Sequence, residues 1–107
     1  ATAALQKAIE IDPNYNEALY QLGAHLYNLA VEKRNLTIEM DYKDPKTAIV
    51  EKEAMDLFKQ ALVPLEKYAS QNENDKAILD ILYKTNMKLG NIDKAQEYKK
   101  RLEALKN

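Results

Sequence analysis

Alanines at positions that suit close helix packing recur along this chain at two unequal intervals. Ala1 is followed one helical turn later by Leu5, and Ala61 is followed by Leu65 in the same way. The interval from Ala61 to a further alanine, Ala95, equals the period of about 34 residues that is typical of solenoids made of helix pairs. The interval from Ala1 to Ala61 is much longer. One repeat is therefore expected to carry an insertion of about 26 residues beyond that period.

The composition predicts an all-α fold in a single domain of 107 residues. Helix-forming residues dominate, and the chain contains only two glycines and three prolines. The 16 basic and 17 acidic residues are interspersed, and the net charge is −1. This balance argues against nucleic-acid binding. No apolar run in the sequence is long enough to predict a membrane span.

Apolar periodicity and boundary residues together predict five helices. The predicted ranges are Thr2 to Ile11, Asn14 to about Asn35, Pro45 to about Ser70, Asp75 to Leu89, and Ile92 to Leu105. The inward face of the third helix is predicted to hold Ala48, Met55, Phe58, Leu62, Leu65 and Ala69. Because these residues keep helical spacing across Pro64, that proline is expected inside the helix and should kink it.

Short-range signals define the predicted helix ends. Asn14 and Glu17 have the spacing of a capping box at the start of the second helix. Asp44 is a favourable N-cap residue before Pro45, which suits the first helical position. Gly90 suits the left-handed conformation that often follows a helix.

The chain resembles a tetratricopeptide repeat protein. The first-helix pattern of that family, W-x2-L-G-x2-Y, is matched with leucine in place of both aromatics by Leu19, Leu22, Gly23 and Leu26. The second-helix pattern of a preceding repeat is matched by Ala1, Leu5, Ala8 and Pro13, and a last, degenerate repeat by Leu79, Leu82 and Ala95. The closing turn, Ile11 to Asn14, is also typical of the family.

The resemblance implies an α-solenoid of antiparallel helix pairs that acts as a protein–protein interaction scaffold. Within one domain, 1–107, it implies the second helix of a truncated repeat at 1–13, an elongated repeat at 14–73 and a degenerate C-terminal repeat at 74–107. Elongated repeats of this kind suggest a bacterial-type protein, and both the cytoplasm and the periplasm stay open. The chain is then expected to be the C-terminal part of a longer repeat protein.

The insertion is expected to extend both helices of the middle repeat by about 13 residues, or about 20 Å each. They would form a long projecting hairpin with its tip at 36–44. Alternating apolar residues at the tip predict an extended segment, and they are Leu36, Ile38, Met40 and Tyr42. Their apolar face would either pack back onto the hairpin or contact another subunit or partner.

In the resembling family the first helix of each pair lines the concave groove of the solenoid. By that resemblance a protein or peptide partner is expected to bind Glu17, Tyr20, Ala24, Tyr27, Asn28, Asp80, Lys84, Met87 and Lys88. Tyrosines suit such a surface because they combine a large apolar ring with a polar group. The alternative is that these residues only pack against a neighbouring helix or face water. A second functional alternative is self-assembly through the projecting hairpin or the unpaired first helix.

No residue pattern predicts catalysis, a metal or a cofactor, so no enzyme is expected. His25 is the only histidine, and the chain has no cysteine that could join it in a metal or nucleophile site. Basic residues gather in the last helix and its end, at Lys94, Lys99, Lys100, Arg101 and Lys106. Cations near a helix C-terminus complement its dipole, and a partner site is the alternative.

Overall fold

The computed structural model describes residues 2–105, and all regular secondary structure in that range is helical. The helices are α1 (Thr2–Ile11), α2 (Asn16–Leu36), α3 (Pro45–Gln71), α4 (Lys76–Lys88) and α5 (Ile92–Leu105), with a 3₁₀ turn at Thr37–Glu39. The prediction of an all-α chain with five helices is confirmed. Ala1 and Lys106, which the sequence interpretation used, lie outside the described residues. Within them, no helix is both long and apolar enough to cross a membrane.

A side chain caps α3 as the sequence predicts, and another caps α4. The Asp44 carboxylate accepts a hydrogen bond from the backbone N–H of Lys46 at 2.9 Å, ahead of Pro45 at the first helical positions. The Asp75 carboxylate accepts one from the Ile78 N–H at 3.3 Å. Gly90 follows α4 with φ of 80°, in the left-handed region expected for it.

The predicted capping box at the start of α2 is wrong. The N-cap residue is Tyr15, and no side chain caps the helix there. The backbone N–H of Asn14 instead donates to the Asp12 carboxylate at 3.1 Å, and the Tyr15 N–H donates to the Asp12 carbonyl at 3.1 Å. This turn around Pro13 occupies the residues that would have formed the box, so α2 begins at Asn16.

Helices α2 and α3 form an antiparallel hairpin, because contacts between them follow opposite orders along the two helices. The contacting pairs are Asn16 with Gln71, Tyr20 with Tyr68, Gly23 with Leu65, Tyr27 with Phe58, and Lys33 with Glu53. α1 packs on α2, α3 packs on α4, and α4 packs on α5. Among the described residues, each helix therefore packs mainly on its neighbours in the chain.

A single apolar core joins these helices. Its buried members are Leu22, Leu26, Ala61, Leu65, Ala69, Ile78, Leu79, Leu82 and Tyr98. Half-buried residues from both chain ends, such as Leu5 and Leu102, pack against it. Burial of these side chains is the main favourable contribution to folding in such a structure.

The inward face of α3 is predicted correctly in its second half and wrongly at its start. Phe58, Leu65 and Ala69 are buried, whereas Met55 and Leu62 are half-buried. Ala48 is exposed, and the neighbouring Thr47 is buried in its place. The Thr47 hydroxyl donates to the carbonyl of Asp41 at 2.6 Å. This hydrogen bond holds Thr47 toward the tip, so Thr47 and not Ala48 is buried in the first turn of α3. Apolar spacing alone does not predict such a bond.

The helix continues through Pro64, which is buried inside α3 as predicted. The lack of an N–H at this position leaves the Gln60 carbonyl without its usual helical donor. A kink at this point stays a prediction.

The insertion is largely helical, as predicted. α2 has 21 residues and α3 has 27, against 13 in α4 and 14 in α5. The hairpin therefore has the longest two helices of the fold.

The expected extended segment at the tip is wrong, because Thr37–Glu39 forms a 3₁₀ turn. The Thr37 hydroxyl donates to the Arg34 carbonyl at 2.6 Å. The 3₁₀ turn therefore follows directly on the last turn of α2. Leu36, Ile38 and Tyr42 are 61%, 77% and 83% exposed, so they do not pack back onto the hairpin. Met40 is half-buried.

Gly23 allows α2 to approach α3 closely. A Cβ atom at this position would lie 2.5 Å from the Cγ and Cδ2 atoms of Leu65, which is fully buried. We expect Gly23→Ala to lower the free energy of unfolding by about 1 kcal/mol, since overpacking outweighs the better helix propensity of alanine. Urea denaturation would measure the change. Asn28→Ala, at an exposed position of the same helix, is the control, and equal stability of the two variants would contradict the prediction.

Candidate functional site

The predicted groove residues lie on α2 and α4 and are accessible to solvent. Glu17, Tyr20, Asn28, Lys84 and Met87 are exposed. Ala24, Tyr27, Asp80 and Lys88 are half-buried, and none of the nine is fully buried. The same two helices contribute Leu22, Leu26, Leu79 and Leu82 to the core. One face of each helix is therefore packed, and the predicted residues lie outside the fully buried set, although Tyr27 packs against the core.

Helix α3 forms the floor between α2 and α4. Both helices pack on α3, but within the described residues their backbones do not pack on each other. The side chain of Phe58, fully buried in α3, contacts both sides. The Tyr27 ring from α2 lies 5.7 Å from it in an edge-to-face arrangement, and the Lys88 ammonium from α4 lies 5.5 Å from its centroid. The surface around these contacts is called the groove below, and the nine predicted residues are the ones proposed to line it.

The Tyr20 end of the groove is aromatic and joined to α4. The Tyr20 ring lies 5.4 Å from the ring of Tyr68, again edge to face. The Tyr68 hydroxyl donates a hydrogen bond to the Asp75 carboxylate at 2.7 Å. That bond, with smaller contributions from burial and from the Asp75 charge, raises the pKa of Tyr68 to about 12. Asp75 thus caps α4 and holds α3 at the same time.

The opposite end of the groove is cationic. Lys84 forms an ion pair with Asp80 at 2.8 Å, and this hydrogen bond raises the lysine pKa. Desolvation lowers the pKa of Lys88, and the nearby charges of Arg34 and Lys84 lower it further. Tyr27 is close enough to Lys84 to affect its pKa as well. Tyr27 and Lys88 therefore both contact Phe58, and Lys84 lies near them.

Sequence reasoning missed three contributors to this surface: Arg34, Phe58 and Tyr68. Arg34 lies seven residues after Tyr27 on α2, which is about two helical turns and so the same face. That spacing could have identified it. Phe58 and Tyr68 belong to α3, and their contacts across the groove floor depend on how three helices pack.

The basic residues of α5 are partly engaged with other elements. Lys94 pairs with Glu66 of α3 at 3.3 Å. The Arg101 guanidinium lies 5.4 Å from the Tyr98 ring and donates to the Glu73 carbonyl at 3.5 Å. Lys99 and Lys100 are exposed. The described residues contain no group of three or more potential metal ligands.

Two further clefts adjoin the helices. An apolar cleft of about 560 Å³ lies among α1, α2 and α3 and is lined mainly by Ile9, Pro13, Leu19, Leu22, Val63 and Pro64. A smaller cleft of about 310 Å³ lies beside the hairpin tip and is lined by Arg34, Thr37, Ile38, Glu51, Ala54 and Met55. The smaller cleft shares Arg34 with the cationic end of the groove.

Comparison of the chain with protein-family models, with curated proteins and with solved structures found no significant match.

The bond between Tyr68 and Asp75 makes a testable contribution to stability. We expect Tyr68→Phe to lower the free energy of unfolding by about 1 kcal/mol at neutral pH, because it removes one hydrogen bond to a carboxylate. Since folding raises the pKa of Tyr68, the contribution is present below about pH 10 and is lost as the pH rises through about 12.

Urea denaturation at neutral pH and an ultraviolet titration of tyrosinate formation would check both parts. The component that titrates near pH 12 should be absent from Tyr68→Phe and present in the control Tyr42→Phe, at the exposed tip. An unchanged titration curve for Tyr68→Phe would contradict the assignment.

Proposed function

We propose that this chain is a tetratricopeptide-like α-solenoid segment that acts as a protein–protein interaction scaffold and binds a peptide or protein partner in the groove. The observation that carries the proposal is the arrangement of α2 and α4 on α3. Phe58 of α3 contacts Tyr27 of α2 and Lys88 of α4, so the two helices bring an aromatic and a charged side chain to the same part of α3. This is the kind of surface on which helical repeats bind extended partners.

The packing order supports the solenoid part of the proposal. A solenoid is built so that each unit contacts only its neighbours, and the described helices pack in chain order. The described chain is also flat, with principal extents of 43 × 36 × 18 Å. A thickness of 18 Å is about what two helix layers need. We propose the repeat boundaries 1–13, 14–73 and 74–107 on this basis.

The side chains of the groove favour binding over a purely structural role. Tyr20 is 38% exposed although its ring is already held by Tyr68. Tyr27 is half-buried and held by Phe58. A ring that is fixed before binding loses little conformational entropy when a partner covers it. Tyrosines in that situation are frequent anchors of interfaces.

A random-peptide display library provides the test, with affinities of the selected peptides measured by fluorescence anisotropy. We expect Tyr20→Ala and Tyr27→Ala each to weaken binding by about 2 kcal/mol if these rings are anchors. Each change should cost about 1–2 kcal/mol of stability, because it removes the aromatic pair and the part of the ring that is buried. Leu26→Ala in the core should cost about 2–5 kcal/mol.

Tyr42→Ala is the matched control, because it removes the same side chain at the exposed tip. It should leave peptide affinity unchanged. Selected peptides whose affinity is insensitive to both groove variants would refute the groove as the binding site. Loss of folding in Tyr20→Ala or Tyr27→Ala as severe as in Leu26→Ala would assign the tyrosines to the core.

Self-assembly through the hairpin is a second candidate function, favoured by the exposed apolar side chains at the tip. Ile38 and Tyr42 are 77% and 83% exposed, and both lie in the segment that joins α2 to α3 at the tip. Contiguous exposed apolar residues are a common mark of interaction surfaces.

Sedimentation velocity over a range of protein concentrations distinguishes this candidate from the first. If the tip mediates assembly, the wild-type chain forms concentration-dependent oligomers, and Ile38→Lys with Tyr42→Lys makes it monomeric. Val63→Lys, at another exposed apolar position, is the control and should leave the oligomers intact. A wild-type chain that stays monomeric, with peptide binding intact, would exclude tip-mediated self-assembly.

A further inference from the structure

The apolar cleft among α1, α2 and α3 contains none of the nine groove residues. It lies where α1 and α3 both pack on α2, while within residues 2–105 their backbones do not pack on each other. Leu19 and Leu22 of α2 are buried at its base, and Ile9 of α1 and Val63 of α3 line it as well. Its volume of about 560 Å³ lies within the range of about 300–1,000 Å³ that is usual for ligand pockets.

The side chains that line the cleft change from aliphatic to polar along α3. Val63 and Pro64 belong to the aliphatic part, and Lys67 and Ser70 line the cleft one to two turns further on. Val63 and Ser70 are seven residues apart, which is about 10 Å along the helix. This order of side chains suits an unbranched apolar chain with one polar end.

The charges beside the cleft favour an anionic end group. Glu66 also lines the cleft, but its carboxylate pairs with Lys94 of α5 at 3.3 Å, so its charge is partly offset. Lys67 forms no ion pair with another of the residues 2–105. A lysine can lay its aliphatic stem along an apolar surface and keep its ammonium group in water. Lys67 is therefore placed to attract a carboxylate at the polar end of the cleft.

The size of the cleft favours a single hydrocarbon chain over a protein segment. An α-helix is about 10 Å in diameter, so three of its turns occupy about 1,200 Å³, or about twice the volume of the cleft. A helix from a second copy or from a protein partner could therefore insert only individual side chains. A short hydrocarbon chain could instead lie inside the cleft along its length.

We propose that the apolar cleft binds the free acid form of an unbranched medium-chain carboxylate. Its hydrocarbon chain lies against Ile9, Leu22 and Val63, and its carboxylate lies beside Lys67. A free acid fits better than a membrane lipid, because a cleft about 10 Å long accommodates one short chain and not two long ones. This site is separate from the groove, and the inference does not rest on the proposed function.

Isothermal titration calorimetry with hexanoate, octanoate and decanoate, each below the concentration at which it forms micelles, provides the first test. We expect the affinity to rise by about two- to fourfold for each added CH₂ group, as burial of a methylene predicts. An affinity that does not depend on chain length would contradict the proposal. Methyl NMR spectra of the same titrations should show the largest shift changes at Ile9, Leu19, Leu22 and Val63.

A charge placed in the cleft tests the position of the chain. Val63→Asp should weaken octanoate binding about tenfold, because it puts a second negative charge beside the ligand. Val63 is 74% exposed, so the variant should fold, and thermal melting checks this. Ile49→Asp is the matched control, at a 58% exposed position of the same helix outside the cleft, and should leave the affinity unchanged.

Lys67 tests the position of the carboxylate. Lys67→Gln should weaken octanoate binding about threefold, as expected for an exposed ion pair, and Lys67→Arg should retain the affinity. Octanamide, the uncharged counterpart, should bind the wild-type chain and Lys67→Gln equally well. Lys59→Gln removes the same charge from an exposed position of α3 outside the cleft and should leave octanoate binding unchanged. Equal effects of Lys59→Gln and Lys67→Gln would refute the assigned carboxylate position.

Two further results would overturn the inference and leave the groove untouched. Methyl shift changes at Ile38 of the tip as large as those at Val63 would show that the acid adsorbs unspecifically. A wild-type dimer in sedimentation velocity that Val63→Asp makes monomeric would assign the cleft to a contact between copies of the chain. The groove is tested separately, through the peptide affinity of the Tyr20 and Tyr27 variants.

Discussion

The close contact between α2 and α3 at Gly23 is the constraint on which the rest of the structure depends. The missing side chain lets Leu65 lie directly against the α2 backbone. Leu65 also belongs to the core shared with Ile78, Leu79 and Leu82 of α4. The short distance between two helices therefore fixes the position of a third, because α4 packs on the same region of α3. The groove exists only while that spacing is kept.

The elongated hairpin extends this packing beyond the other helices without a second large core. Toward the tip, the buried residues between α2 and α3 are small: Ala30, Ala54 and Thr47. Small residues keep the two helices close, while the apolar residues of the tip remain outside the contact. The hairpin is thus held by the same short-distance packing as the contact at Gly23, with the Lys33–Glu53 ion pair at 2.8 Å at its edge. An exposed ion pair of this kind contributes little to stability, so the alanines decide the geometry.

Helix boundaries were the part of the fold that the sequence predicted best, because signals such as Asp44 and Gly90 act through local chemistry. The failures at Asn14, at Ala48 and at the tip have a common cause, since a competing hydrogen-bond acceptor decided each of them. The spacing of apolar residues predicts which side of a helix is buried. It does not predict which acceptor will form a hydrogen bond with a given N–H or hydroxyl group. The candidate site shows the same difference between features set by local sequence and features set by packing. Helical spacing predicted which of its residues share a side of α2 or of α4, but it could not indicate that Phe58 of α3 contacts Tyr27 and Lys88, since these contacts depend on packing between helices.

The structure makes the two ends of the groove chemically different, and each end is fixed by a separate contact to α3. At one end the hydroxyl of Tyr68 donates to the Asp75 carboxylate, and the Tyr68 ring contacts the Tyr20 ring edge to face. At the other end Phe58 supports a lysine, Lys88, that has no carboxylate partner within residues 2–105. Phe58 and Tyr68 are ten residues apart on α3, which separates the two ends by about 15 Å along the helix. The single long helix therefore keeps the aromatic and the cationic contacts apart, and each of them joins α3 to a different part of α2 and α4.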